Sequence, residues 1–428
     1  MRVPRCKGTQ DLSPEEMRRF RFIEGVFREC CLLWGYEEVR TPTIEYLHLF
    51  TSTGTLTPSR LRKVYSFLDW DGWSGERVVL RPDGTIPIAR YYIDTMHQEE
   101  LAKLFYVTSV FVFEETGRET RERWQCGAEL IGAGSATADV ELVVLALEVL
   151  KKLGIKDVEL QLSHAGLIRA LLARFGLSPA EQTRIFDQMM DGDAGVLARL
   201  KEQMPGLESA LTPLLKLKGR SSGFLRNTKA LFGTDLPELK PALDAFAQIT
   251  DLLDTLGCRY QIDITSGRGF EYYTGVMFRL MADGRPVGGG GRYDALIPLM
   301  GGTEAPASGL ALYLDRLMNM IRPDVSAGPS DHGILIKAGA AEADVLKEAF
   351  NLVNSLHEAG YAAEVYLGGV EPADFRWVVD IQAQAPLFVL IDRVENRKFE
   401  AASAAEVLKL LRKAGVVQSI EATNAGNS

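Results

Sequence analysis

Three stretches of the chain carry residue types able to do chemistry. Residues 80–90 read "LRPDGTIPIAR", placing Arg81, Asp83 and Thr85 where a strand enters a helix. That is a good place to grip a small polar ligand, but the same residues suit a helix N-cap, in which Asp83 or Thr85 accepts from the first N–H groups. Residues 267–275, "GRGFEYYTG", set Arg268 among glycines ahead of Tyr272 and Tyr273. A permanent cation beside two amphipathic rings can bind a carboxylate and stack on or hydrogen-bond an aromatic ligand. The plain alternative is a strand whose tyrosines face opposite sides. Residues 110–125, "VFVFEETGRETRERWQ", run from an alternating strand into a loop of both charge signs, followed by a returning strand, "CGAELIG". Some folds hold a nucleotide in that way, yet Val112 stands where a nucleotide enzyme would want a cation.

Other motifs are weak. "GGGGR" at 288–292 lacks the lysine of a phosphate loop and reads as close backbone packing. His48, His97, His164, His332 and His357 show no metal-ligand spacing, and no GxSxG nucleophile motif occurs, so neither metal nor cofactor is expected.

These residues need a scaffold. At 428 residues the chain predicts two or three domains. Apolar residues make up 46% and charged residues 25%, the balance of a globular protein, and the net charge of −9 gives no bulk basic field for nucleic acid or anionic membrane. Five cysteines without CxxC pairing read as reduced thiols of a cytoplasmic protein. Neither a signal peptide nor a membrane span is predicted.

Ser13-Pro14 predicts a capped helix over 13–36, with Phe20, Ile23, Val26, Phe27, Cys30, Cys31 and Trp34 on its apolar face. "YEEVRTPTIEY" reads as a strand containing Pro42, hence an edge or a meeting with a partner subunit. "KVYSFLD", "ERVVLRPD", "KLFYVTSVFVFEE" and "WQCGAELIG" read as strands around a helix at 84–97. A helix over 138–153 and the strand "VELQLS" follow. Residues 164–256 lose strand signals and read as a helical insertion. "RYQIDIT" and a hairpin turning at Asp283-Gly284 come next, then a helix over "ASGLALYLDRLMNMI". A linker at 323–332 separates this 1–322 domain from a 333–415 unit of alternating strand and helix, expected to hold a mainly parallel sheet, with a tail at 416–428.

In order, "KGTQDLSPEE", "VRTPTIEYLHLF", "LRPDGTIPIAR", "WQCGAELIG", "GRGFEYYTGVMF", "GGGGRYDALIPLMGG" and "GLALYLDRL" resemble histidyl-tRNA synthetases over residues 1–322. The resemblance implies an α+β class II synthetase-like fold: an antiparallel sheet flanked by helices, dimeric through the segment around Pro42. It also places the 333–415 unit where the family has its anticodon-binding domain. Two groups share that fold, the synthetases and a regulatory paralogue that supports short-form ATP phosphoribosyltransferase in the first step of histidine biosynthesis.

The resemblance further implies that Thr85, Gln125, Glu129, Arg268, Tyr272 and Tyr273 occupy histidine-binding positions. Asp83 takes the place of a usual glutamate. Val112 sits where synthetases carry an arginine that clamps the α-phosphate and the histidine carboxylate, and Glu114 and Glu115 would repel a phosphate. Arg118, Arg121 and Arg123 lie within the loop's reach, and Arg316 remains. Leu312 and Leu314 are expected to crowd a nucleotide. The expected function is a non-catalytic regulatory subunit that binds L-histidine within a hetero-oligomer containing a self-dimer. Transfer RNA is not an expected ligand. The alternative is a divergent synthetase that forms histidyl-adenylate.

Overall fold

The computed structural model describes residues 3–53, 61–69, 75–113, 120–178, 181–182, 184–185, 188, 195–216, 218–232, 236–264, 272–321, 333–339, 343–385 and 387–416. It divides into two units, Met1–Ile321 and Arg322–Ser428.

In the first unit, helix α1 (Pro14–Leu33) starts on a capping box, with the Ser13 hydroxyl accepting from Glu16 N–H and the Glu16 carboxylate accepting from Ser13 N–H. Phe20, Ile23, Phe27, Cys30 and Cys31 form its buried stripe. Exposed Gly25 has nothing within 4 Å of where a Cβ would stand. Gly25→Ala is therefore expected to stabilise the fold by about 0.5–1 kcal/mol in urea unfolding, through helix propensity alone.

Strands follow in chain order: β1 (Glu37–Glu38), β2 (Ile44–Tyr46), β3 (Ser66–Asp69), β4 (Glu76–Leu80), β5 (Ala102–Phe111), β6 (Glu122–Ile131), β7 (Glu159–His164), β8 (Lys218–Gly219), β9 (Tyr260–Asp263), β10 (Val276–Ala282), β11 (Arg285–Arg292) and β12 (Ala307–Tyr313). Nine of them form the main sheet in the order β1-β5-β6-β12-β11-β10-β7-β9-β8, antiparallel except at β1–β5 and β7–β9. Helices α2 (Leu47–Ser52), α3 (Thr85–Thr95) and α4 (Ala136–Lys152) lie between these strands in sequence. The Asp283-Gly284 turn has both residues at positive φ, 47° and 70°, as a tight hairpin with right-handed strand twist requires.

Two expectations fail here. The segment around Pro42 is not one strand. It breaks after Glu38, and β2 joins β4 and β3 in a separate three-stranded sheet. Proline has no N–H for a ladder and forces its neighbour out of regular pairing. The Pro42 carbonyl instead accepts from buried Arg81 Nη1 at 3.0 Å. Residues 307–313 are likewise a strand, β12, inserted between β6 and β11, and only Leu314–Met318 is helical. A strand buried on both faces reads as a continuous apolar run, which a helical pattern just downstream obscures. Among the described residues after His164, the region up to 256 forms helices and turns apart from the two-residue strand β8, which pairs with β9.

The second unit holds a five-stranded sheet in the order Ala363–Val365, Ile334–Ala338, Trp377–Ile381, Phe388–Asp392, Arg397–Ala401, with helices Ala343–Glu358 and Ala404–Lys413. Two of its pairings are parallel and two antiparallel, so the sheet is mixed and not mainly parallel. The strand Trp377–Ile381 lies in a stretch whose Gly-, Pro- and Asp-rich lead-in masks it in sequence.

Candidate functional site

Strand alternation decides which residues can meet. Side chains of paired residues share a face. In β6 and β12, Cys126, Ala128, Leu130, Leu310 and Leu312 are buried on one face. Helices α1 and α4 pack on that side. The other face carries Gln125, Gly127 and Glu129 of β6, paired with Tyr313, Ala311 and Gly309 of β12. Beyond them lie Gly289 and Gly291 of β11, then Arg279 and Met277 of β10. Gly127, Gly309, Ala311, Gly289 and Gly291 thus pave a floor without large side chains.

Three of these glycines are sterically required. A Cβ on Gly309 would stand 1.7 Å from Glu129 Oε2, one on Gly127 2.2 Å from the Tyr106 ring, and one on Gly291 3.0 Å from the Tyr273 ring. Their absence lets Glu129, Tyr106 and Tyr273 lie flat on the sheet.

Glu129 is the centre of the site and is fully buried. Thr85, the first residue of α3, donates its hydroxyl to Oε1 at 2.7 Å, and Tyr106 donates to the same oxygen at 3.3 Å. The Tyr293 hydroxyl donates to Oε2. Burial pushes the Glu129 carboxyl up to about 8, against the pull of the hydroxyl donors and with a further upward push from the Asp83 charge. Burial also raises the phenols of Tyr106, Tyr272, Tyr273 and Tyr293, so they stay neutral donors.

The predicted site residues separate into distinct places. Asp83 accepts from Ile86 N–H at 3.0 Å and caps the start of α3, while Thr85 turns to Glu129. Tyr272 and Tyr273 do not face opposite sides of a strand. They precede β10, their rings lie 5.0 Å apart, and both approach Tyr293, at 5.6 and 6.4 Å. Gln125 presents a buried Oε1 that accepts from no group among the described residues. Arg81 is a structural residue, donating to the carbonyls of Thr41, Pro42 and Ser109. Arg268, Glu114, Glu115 and Arg118 lie outside the described residues.

At the loop end of the hairpin, Val112 continues the pocket face of β5 two residues past buried Val110, with its N–H on the Arg121 carbonyl at 2.8 Å. The Arg121 side chain packs on Gly8 and lies over the Phe113 ring, 4.8 Å from its centroid. Arg316 is exposed, lies 4.7 Å over the Tyr313 ring and donates to the Pro286 carbonyl. Leu312 and Leu314 are fully buried in the core and crowd nothing in the pocket. On β12 the large residue of the pocket face is Tyr313.

Sequence reasoning missed Tyr106, Tyr293, Arg279 and Tyr313. The alternation of β5 opposite Gly127 pointed to Tyr106. Tyr293 was in plain view, two residues after the glycine run.

The residues gathered here can do one thing well. Neutral donors and the acceptors Glu129 and Gln125 can orient a small polar molecule whose own N–H groups meet those acceptors.

Comparison with known proteins gives the family. The family model described as histidyl-tRNA synthetase matches residues 8–317. An ATP phosphoribosyltransferase regulatory subunit of Dehalococcoides mccartyi (strain CBDB1) is 52% identical over 409 residues, covering 96% of this chain and 98% of that one. A histidine–tRNA ligase of Methanosarcina acetivorans is 32% identical over 415 residues, covering 93% and 96%. A crystal structure from Bacillus halodurans C, titled an ATP phosphoribosyltransferase regulatory subunit/histidyl-tRNA synthetase, superposes with a TM-score of 0.72 at 26% identity. It covers 87% of this chain and 95% of that one.

Proposed function

The chain belongs to the histidyl-tRNA synthetase family, and from that premise we propose that it serves as an ATP phosphoribosyltransferase regulatory subunit with no aminoacylating chemistry of its own. Val112 carries the reading. It continues the pocket face at the hairpin's loop end, where the resemblance calls for a phosphate-clamping arginine. Attack on an α-phosphate builds negative charge, and losing one fixed donor there costs roughly 2.7–4 kcal/mol of barrier. Arg121 and Arg316 are engaged with Phe113, Tyr313 and the Pro286 carbonyl. The Dehalococcoides mccartyi relatives that bear the regulatory name are 51–52% identical along nearly their whole length, which supports the same choice.

In this reading the pocket holds L-histidine through Asp83, Thr85, Gln125, Glu129, Arg268, Tyr272 and Tyr273. The partner is the short-form catalytic subunit, in the cytoplasm. Histidine biases that partner only to the extent that two states of the complex bind it differently. Ile44, Tyr46 and Phe67 share one face of the small sheet and are 42–49% exposed, an apolar surface that supports self-association beside Pro42. In the second unit Lys337 pairs with Glu371, Arg376 with Asp392 and Arg393 with Glu371, so these cations are already neutralised and offer little to RNA phosphates.

The test is histidine-dependent ATP–pyrophosphate exchange, with an active synthetase alongside. The expected result is no exchange, together with stabilisation of the fold by histidine and activation of a short-form phosphoribosyltransferase on mixing. Robust exchange would return the ligase reading, which the 32% identity to histidine–tRNA ligases and the second unit favour. Arg268→Ala should weaken histidine binding by about 10²-fold, the scale of a lost charged hydrogen bond, without changing the unfolding midpoint. Unchanged affinity by calorimetry would remove Arg268 from the pocket.

A further inference from the structure

The glycine floor ends at one side chain. Along β12 the pocket face reads Gly309, Ala311, Tyr313, and Tyr313 pairs with Gln125, which in turn pairs with Thr108 of β5. Glu129 and its hydroxyl donors lie on one side of that level, and Val110, Val112 and Arg123 on the other. A ligand reaching from the Glu129 pocket toward the hairpin loop has to cross the level of Tyr313. Its ring is held there. Arg316 lies 4.7 Å over it, and the same guanidinium is tied to the Pro286 carbonyl at the start of β11. Arg316 is thereby turned onto the ring and a backbone oxygen. Arg123 and Arg279 share the pocket face with Tyr313, one on β6 and the other on β10.

We infer that Tyr313, braced by Arg316, is the specificity-determining residue that closes this pocket to a nucleoside triphosphate while leaving the Glu129 end open to a small molecule. The inference rests on the regulatory reading above and names the side chain that enforces it. Val112 removes a favourable contact; Tyr313 adds a steric block. A block and a missing contact differ in what restores binding. Replacing Val112 by arginine leaves the ring in the way, so Val112→Arg alone restores neither nucleotide binding nor exchange. Shrinking Tyr313 opens the path and leaves Arg316 without its stacking partner, on the same side as Arg123 and Arg279.

The experiment is calorimetric titration of the full chain with Mg·ATP, for the parent, Tyr313→Gly, Tyr313→Ser and Tyr313→Phe. Histidine-induced thermal stabilisation serves as the control for a folded pocket. The two small variants are expected to bind Mg·ATP at least about tenfold more tightly than the parent and Tyr313→Phe, a change of about 1.4 kcal/mol. Equal affinity across all four proteins, or no detectable binding in folded Tyr313→Gly and Tyr313→Ser, overturns the inference. If neither small variant folds, Arg316→Ala decides it: removing the brace should raise Mg·ATP affinity severalfold, and no rise overturns it. Failure of these variants with exchange still absent sinks the steric block alone. Exchange by the parent protein sinks the regulatory reading itself.

Discussion

Gly309→Ala is expected to cost on the order of 3 kcal/mol of stability and to abolish histidine-induced stabilisation, because it removes the space in which Glu129 lies. The added Cβ would stand 1.7 Å from Glu129 Oε2 and 2.7 Å from its carboxyl carbon. The carboxylate cannot step aside cheaply. Thr85, Tyr106 and Tyr293 hold it, and displacing it would strand their hydroxyls in a buried site. The floor cannot drop either, since β12 is paired along its length on both sides. Urea unfolding with and without histidine measures both effects. A midpoint within about 0.5 kcal/mol of the parent, the range of an ordinary surface substitution, would show that the glycine is not needed for Glu129's position.

Glu129→Gln should flatten the dependence of stability on pH. The Glu129 carboxyl is held at about 8 in the folded chain against an ordinary value of 4.5, chiefly by burial. A raised folded value means that the folded state holds the proton more tightly than the unfolded chain. Its contribution is therefore fully present below 4.5 and is lost as pH rises through about 8. Over that window the parent should lose up to roughly 5 kcal/mol from this group, at about 1.36 kcal/mol for each tenfold difference in proton affinity between the two states. Glutamine keeps the shape and an acceptor oxygen but does not titrate. The unfolding free energy of the parent relative to the variant should therefore fall as pH rises from about 5 to 8, while groups common to both proteins, such as buried His164 with its lowered pKa, cancel from that difference. Parallel curves for parent and variant would mean that Glu129 is ionised in the folded protein throughout.

Local signals announced much of the scaffold. Ser13 and Pro14 announced α1, Asp283-Gly284 announced its hairpin, and alternation announced β5 and β6. Ordered motifs announced the class of fold. What stayed hidden depends on contacts between distant segments. Residues 307–313 could be known as a strand only from their neighbours β6 and β11, because apolar side chains bury both faces. Tyr313 was overlooked in the same segment: the resemblance drew attention to Leu312 and Leu314 as crowding residues, whereas the strand sends Leu312 into the core and turns Tyr313 to the other face, and Leu314 is buried at the start of the short helix that follows. Glu129 was named from the sequence as a candidate ligand position. Of its three hydroxyl donors Thr85 was named with it, but Tyr106 and Tyr293 were not, since they come from β5 and the residue after β11. Pro42 was rightly out of place inside a ladder, but nothing local foretold that Arg81 would take up its carbonyl.

The paved floor also bears on the entropy of binding. Glycine and alanine have no side-chain torsions to freeze, and the walls above them are mainly tyrosines, each with only two main torsions already fixed by hydrogen bonds or ring contacts. A small molecule entering such a pocket orders very little of the protein. Few of its favourable contacts are spent on immobilising side chains, so a ligand of a dozen or so heavy atoms can gain useful affinity without large buried area.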